Sequence, residues 1–436
     1  MEQGPWSGGP VAERVAEVRR SVAGLDLGAR VVRVEALVAA ARQAHEDEAI
    51  NLNPATNVML PRAEALLSAG IGTRPSLGHP GAKYETGLED VEQIEVVAAD
   101  LTTEVFGARF AELRVASGSI ANLYAFLATC SPGDAVIVPP ASIGGHVTHH
   151  LAGAAGLAHL RIHEAPVDVD RFTVDVDGLA ALAERVRPAM ITVGGSLNLA
   201  PHPVAQLRAI ADEHDAALLF DAAHLAGMLA GGMWRSPLAA GADLVTMSTY
   251  KSLAGPPAGL VLTDRADLAR RLDEIAHPGL TANFDVAKTA ALAVTMAAWA
   301  STGEAYARAM VETAVALSTA LGERDLPVVR TADGWTASHQ LAVDASAWGG
   351  GQAAAARLRR AGLLASGIGL PFGTAPDGMP GLRLGTNELL RWGMGAAEMP
   401  ELAGLVADAL TGEPEAVLPR TLDLRGRYRS LHHLDV

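Results

Sequence analysis

A chain of 436 residues, 49% apolar and 19% charged, is long enough for two or three domains with clefts between them and lies far from disordered composition. Its formal net charge of -15 excludes a basic nucleic-acid surface and a polybasic membrane patch, leaving small molecules as the expected partners. The single cysteine, Cys130, excludes an intramolecular disulfide and a Cys-based zinc cluster; with no secretory signal at Met1 and no run of about 20 apolar residues, a cytoplasmic protein is expected.

In chain order, Val11 to Arg20 and Val31 to His45 carry Ala, Val, Glu and Arg at helical spacing and predict two amphipathic helices, an arm or dimer-docking layer within residues 1–70. From Asn51 to Gly87, Asn53-Pro54, Thr73-Arg74-Pro75 and His79-Pro80-Gly81 are loop chemistry, and long ordered loops in compact enzymes tend to carry function. Between Leu88 and Asp264, β-rich runs alternate with helical stretches. The runs are Leu113 to Val115, Ala135 to Val138, Leu157 to His163, Met190 to Val193, Ala217 to Phe220, Leu244 to Met247 and Gly259 to Leu262. Several are continuously apolar, as strands covered on both faces by helices must be. This predicts an α/β domain over residues 71–285, with a large, mostly parallel, seven-stranded sheet and ligands at its strand carboxyl ends. Cys130, in Leu127-Ala-Thr-Cys130-Ser-Pro-Gly133, reads as a buried thiol at a helix end. After Pro278-Gly279, Val286 to Ala298 and Tyr306 to Leu321 predict long Ala-rich helices; Gln340 to Val343 and Leu382 to Leu384 predict strands. Together they suggest a smaller α+β C-terminal domain, residues 286–436.

Four features fall at the ends of these strands. Ala116-Ser117-Gly118-Ser119 opens a helix, where free N–H groups and the positive dipole end suit a phosphate; a plain serine N-cap is the competing reading. Leu218-Leu-Phe-Asp221-Ala-Ala-His224 ends an apolar strand in an acid that can pair with a protonated pyridine nitrogen or simply cap a helix, with His224 placed to brace it. Ser248-Thr-Tyr250-Lys251-Ser-Leu-Ala-Gly255 holds a lysine between a buried strand and a Gly/Pro turn. Partial desolvation there favours the neutral amine needed for a Schiff base. Ile143-Gly-Gly-His146-Val-Thr148-His149-His150 contains no carboxylate, so a ring stacked on a flat cofactor suits His146 better than a metal does.

Four stretches in a shared order make the chain resemble serine hydroxymethyltransferase, a pyridoxal phosphate enzyme of the aspartate-aminotransferase fold type. They are Gly144-Gly-His146-Val-Thr-His149, Asp221-Ala-Ala-His224-Leu-Ala-Gly227, Thr249-Tyr-Lys251-Ser-Leu-Ala-Gly-Pro256 and Gly381-Leu-Arg383-Leu-Gly-Thr386. The likeness runs from about Asn57 to Arg391 and implies the fold type I architecture and pyridoxal 5'-phosphate as cofactor. It implies that Lys251 forms the Schiff base, Asp221 pairs with the pyridine nitrogen and His146 stacks on the ring. Ser117, Gly118 and Ser119 would hold the phosphate, with Ser248 and Tyr250 in the same cofactor shell, and Ser196 and His224 would lie near the ring hydroxyl. Arg383 would clamp the substrate carboxylate. Tyr84 matches a family tyrosine near the reacting centre, and since family members are dimers with shared sites, a homodimer in which Tyr84 acts across the interface is implied.

The sequence departs from this family on one side. The family's catalytic glutamate, in Tyr-Ala-Glu-Gly-Tyr-Pro-Gly, is replaced by Leu77 in Pro75-Ser-Leu77-Gly78-His79-Pro-Gly81, and leucine moves no proton. The second tyrosine of Tyr-Tyr-Gly-Gly is Glu85, the serine and glutamate of Ala-Ser-Glu-Asn are Ala55 and Thr56, the histidine before the lysine is Tyr250, and the Asn-rich folate loop appears as Ser366-Gly-Ile-Gly-Leu370. Retained cofactor contacts with a changed acceptor side lead to the expectation of a folate-independent aldolase or transaldolase that interconverts a serine- or threonine-type amino acid with glycine and an aldehyde. Glu85 or His79 is the expected base for the β-hydroxyl. Arg74 reads either as a contact for an anionic acceptor or as a surface charge. Competing readings are a folate-dependent glycine hydroxymethyltransferase, an aminotransferase or β-eliminating lyase, and a non-catalytic scaffold.

Overall fold

The computed structural model describes residues 9–435. Two helices, α1 (Gly9–Val22) and α2 (Leu27–Glu46), open the described chain, and neither has a buried residue. Asp26 caps α2, its side chain accepting from the Ala29 N–H at 2.8 Å, yet Val31, Val32, Val34, Leu37 and Val38 of α2 are all exposed. Both helices therefore form where expected, but α2 carries no distinct apolar face and within one protomer meets no core.

The central sheet has seven strands: β1 (Phe110–Val115), β2 (Ala135–Val138), β3 (Arg161–Glu164), β4 (Met190–Gly194), β5 (Ala217–Asp221), β6 (Leu244–Ser248) and β7 (Gly259–Thr263), in spatial order β1-β7-β6-β5-β4-β2-β3. All neighbours pair in parallel except β7, which runs antiparallel to both β6 and β1. Side chains alternate across a strand, so consecutive apolar residues enter different cores. Ile137, Ile191, Leu218, Phe220 and Val245 join one cluster, while Val136, Val138, Met190, Leu219 and Leu244 join the other. The continuous apolar runs are thus the signature of a sheet covered on both faces, by helices such as α3 (Gly118–Thr129), whose Ala121, Ala125 and Phe126 fill the second cluster. One boundary differs from expectation: the stretch Leu157 to His163 begins as the end of a short helix, Ala154–Leu157, and the strand starts only at Arg161. Cys130 closes α3 half-buried, and burial pushes its thiol up to about 11.

The two helices expected after Pro278 are one, α4 (Val286–Gly322), 37 residues long. Gly303 lies inside this helix without breaking it and leaves room for the Trp299 ring, which a Cβ there would approach to 2.3 Å. The N-terminal part of α4, through Tyr306, places Leu292, Met296, Trp299 and Tyr306 in the sheet core, and its C-terminal part places Ala314, Leu317 and Leu321 in a separate core. That second core is built on a three-stranded antiparallel sheet, β8 (Gln340–Asp344), β9 (Ser366–Ile368) and β10 (Gly381–Gly385), in order β8-β10-β9. Ile50 and Leu52 also join it. The helix ties the two cores together and carries β8 and β10 toward the ends of the large sheet.

Candidate active site

The carboxyl end of β5 holds Asp221, level with Gly194 of β4 and Thr246 of β6. It is 1% exposed. One carboxylate oxygen accepts from His149 Nε2 at 2.8 Å and Asn122 Nδ2 at 3.0 Å, and the other accepts from the Ala223 N–H at 2.9 Å. Burial opposes ionisation, but the His149 bond, the Ala223 N–H and the nearby imidazoles outweigh it and hold the carboxyl well below its ordinary range. Asn122 is oriented in turn by Thr246, whose hydroxyl donates to its amide oxygen at 2.6 Å, and donates to Thr148 Oγ1 at 2.8 Å. His149 is fully buried against the edge of Phe126. The result is a fixed negative charge inside the protein.

Lys251 follows β6 in a turn that the backbone pins closely. Thr249 Oγ1 bonds the Ala258 carbonyl at 3.0 Å, Gly255 N–H donates to the Thr249 carbonyl at 2.7 Å, and Ser252 Oγ donates to the His224 carbonyl at 2.6 Å. The lysine is 7% exposed; burial lowers its ammonium to about 8, opposed by Asp221 and assisted by Arg383. Its Nζ lies 5.9 Å from the ring of Tyr250, which is itself more than a third exposed.

The start of α3 approaches the same place. Ser117 caps the helix, its hydroxyl accepting from the Ile120 N–H at 3.2 Å, so its side chain is engaged in the cap, as the plain reading had it. The first-turn N–H groups of Gly118 and Ser119 have no intrahelical acceptor. Gly118 borders Ser248: a Cβ on it would fall 2.2 Å from Ser248 Oγ. Nearby, two glycine pairs cross. Gly144 has φ 79° and Gly195 φ 153°, and a Cβ on Gly195 would strike the Gly144 carbonyl at 2.4 Å. This crossing brings His146, half-buried and with Nδ1 2.9 Å from Thr148 Oγ1, up to the ends of β4 and β5. Burial lowers the His146 pKa.

Arg383 enters from β10. It is 7% exposed, and its Nη1 donates to the Ser196 carbonyl at 2.7 Å while Nη2 donates to Ser366 Oγ at 3.0 Å. Burial lowers its pKa to about 10. His224, 2% exposed, lies between Arg383 (Nε2 to Nη1, 3.4 Å) and Gln340 (Nδ1 to Nε2, 3.2 Å), and burial together with the surrounding cations keeps it neutral.

The fold therefore brings Lys251, Asp221, His146, His224, Ser196, Ser248, Gly118 and Arg383 to one region. It does not bring Tyr84, Glu85 or His79 there within one protomer. Glu85 accepts from the Leu77 N–H at 3.1 Å, His79 pairs with Asp273 at 2.8 Å, and Tyr84 is 86% exposed. Sequence reasoning gave no role to Asn122, Thr246 or Gln340, or to His149 beyond its place in the histidine run. The one available signal was polar side chains standing within the apolar runs Ile120-Ala-Asn122-Leu-Tyr and Leu244-Val-Thr246-Met.

The residues present fit pyridoxal phosphate: a buried depressed amine, an ionised carboxylate for the ring nitrogen, an imidazole, and a helix start with room only for glycine at Gly118. Comparison with known proteins agrees. The serine hydroxymethyltransferase family model matches residues 32–406. An alpha-methylserine aldolase of Variovorax paradoxus is 54% identical over 434 residues, covering 100% of this chain and 98% of its own. One from a Ralstonia species is 54% identical over 395 residues, 90% of each chain. A serine hydroxymethyltransferase of Methanopyrus kandleri is 37% identical over 406 residues, 92% of this chain and 95% of its own. With that fold, that site and matches of this extent, the chain is a pyridoxal phosphate-dependent enzyme and belongs to the serine hydroxymethyltransferase family.

Proposed function

We propose that the enzyme catalyses folate-independent aldol cleavage, and the reverse addition, on a β-hydroxy-α-amino acid carrying an α-methyl group. For α-methylserine the Cα–Cβ bond breaks, formaldehyde leaves and alanine remains. The sequence alone suggested a serine or threonine donor and glycine; the relatives' name shifts the proposal to the methylated donor. The observation that carries the reading is the buried set of Lys251, Asp221 and Arg383 combined with Leu77 where a proton-transferring glutamate would stand.

Pyridoxal phosphate, when bound, supplies an aldehyde for amines and a ring that accepts the electrons of the broken bond. Lys251, with its amine at about 8, is the group that can lose a proton near neutrality and hold the cofactor covalently. Asp221, kept ionised, favours a proton on the ring nitrogen. His146 would stack on the ring, the N–H groups of Gly118 and Ser119 with Ser248 would hold the phosphate, and Ser196 and His224 would lie near the ring hydroxyl. Arg383 binds the substrate carboxylate and sets which bond at Cα is cleaved. The β-hydroxyl proton would go to Glu85 or His79, reaching the site across a dimer interface beside Tyr84, and one proton is delivered to Cα as alanine forms, so that the cleavage is proton-neutral overall. A homodimer is supported by the exposed valines of α2 and by Tyr84, whose ring has no cover in one protomer. A cytoplasmic location accords with the acidic charge and single cysteine.

The test is incubation of the cofactor-loaded enzyme with α-methylserine, serine and threonine, with and without tetrahydrofolate. Equimolar formaldehyde and alanine without folate is expected; an absolute folate requirement, or release of a keto acid, would overturn the proposal. For the shared site, Lys251→Ala and a double variant carrying Glu85→Gln and His79→Asn, each inactive alone, should regain partial activity when mixed and allowed to exchange subunits. A monomer in sedimentation equilibrium would refute it.

A further inference from the structure

Gln340, at the first position of β8, is fully buried, and its amide orientation is fixed by its partners. Its Oε1 accepts from the Asn198 N–H at 2.9 Å, and its Nε2 donates to the Ser196 carbonyl at 2.9 Å. Turning the amide over would set donor against donor and acceptor against acceptor at both contacts. The second Nε2 hydrogen must therefore face His224 Nδ1, 3.2 Å away. An imidazole nitrogen that accepts carries no proton, so the single proton of neutral His224 sits on Nε2.

That nitrogen lies 3.4 Å from Arg383 Nη1, which is a donor as well. Two donors cannot satisfy each other. They converge on a place where an acceptor belongs, and among the described residues no carboxylate forms a salt bridge with Arg383. The Ser196 carbonyl links the two sides, since it accepts from both Gln340 Nε2 and Arg383 Nη1.

We infer that Gln340 is a positioning residue for substrate recognition: it locks His224 in the Nε2–H tautomer, so that His224 and Arg383 both donate to the amino acid's carboxylate. This rests on the reading of Arg383 as the carboxylate clamp. Leucine at position 340 fills a similar volume but makes no demand on His224 Nδ1, and glutamate would accept a hydrogen bond from an Nδ1–H and so favour the opposite tautomer.

The experiment compares holoenzyme with Gln340→Leu, Gln340→Glu and Arg383→Lys. Imidazole nitrogen NMR on histidine-labelled protein, with His224→Asn identifying the signal, reads the tautomer. Binding of 2-methylalanine, which has the carboxylate and α-methyl group but no β-hydroxyl, reads recognition through the cofactor's absorbance. The expected result is an Nε2–H pattern in the parent that is lost in Gln340→Glu. Binding of 2-methylalanine and KM for α-methylserine should weaken roughly ten- to hundredfold in both position-340 variants, as for a lost hydrogen bond to a charged group, with a smaller change in kcat. An unchanged tautomer signal and unchanged binding in both variants, while Arg383→Lys weakens binding, would overturn the role of Gln340 alone. If Arg383→Lys also binds as well as the parent, the carboxylate clamp itself is wrong.

Discussion

Glu388 is a carboxylic acid placed where ionisation is costly, and neutralising it should alter how stability depends on pH. It is 4% exposed, accepts from Asn51 Nδ2 at 2.7 Å and Thr56 Oγ1 at 3.3 Å, and is raised by burial to about 7 from its ordinary 4.5, the hydrogen bonds only partly opposing this. The folded state thus holds a proton that the unfolded state has released between these values. Stability from this group is complete below pH 4.5 and is lost as pH rises through 7. At about 1.36 kcal/mol per tenfold change in proton affinity, the loss is roughly 3 kcal/mol. Glu388→Gln removes the slope. With about 2.1 cal/mol/K of unfolding entropy per residue, the variant's Tm relative to the parent should rise by about 3 °C between pH 4.5 and pH 8. Calorimetry of both proteins across that range measures the difference directly. A parent–variant difference that stays constant with pH would refute the burial argument, whatever its absolute size.

Other consequences concern the site. Uptake of pyridoxal phosphate by the apoprotein requires neutral Lys251, so with its ammonium at about 8 the second-order rate should rise about tenfold from pH 6 to 7 and level off above pH 8; stopped-flow absorbance would show this, and a flat profile would contradict it. Asp221→Asn keeps the shape but removes a buried charge worth about 3 to 5 kcal/mol to its partners. Its kcat should fall by two to three orders of magnitude with 2-methylalanine affinity little changed, and near-parental turnover would count against the pairing with the ring nitrogen. Gly118→Ala should weaken cofactor retention on dialysis, because its Cβ would fall 2.2 Å from Ser248 Oγ; retention equal to the parent's would show that the helix start does not hold the phosphate.

Much of this was legible in the sequence because a strand covered on both faces needs apolar residues at every position. Leu218-Leu-Phe220 and Ala135-Val-Ile-Val138 announce the sheet, and the polar residues that interrupt such runs at their carboxyl ends, Asp221 and Ser248, announce the site. Helix ends were harder. Gly303 looks like a break in periodicity but is a contact with Trp299 across a continuous helix, and no local rule separates the two. The side chains that hold Asp221 and His224 in place were hidden for a different reason. Asn122, His149 and Gln340 act on Asp221 and His224 from positions 99, 72 and 116 residues away, and a hydrogen bond over such separations leaves no spacing to read. Glu85 and His79 illustrate the reverse: their residue types suit proton transfer, but their contacts in one protomer lead to Leu77 and Asp273.

Borohydride reduction of the holoenzyme followed by peptide mapping reports most directly on the covalent attachment from which all the site chemistry follows. The account requires a stable pyridoxyl label on the peptide containing Lys251, and no label in Lys251→Ala. A label on any other lysine, or full aldol activity in Lys251→Ala, would contradict it.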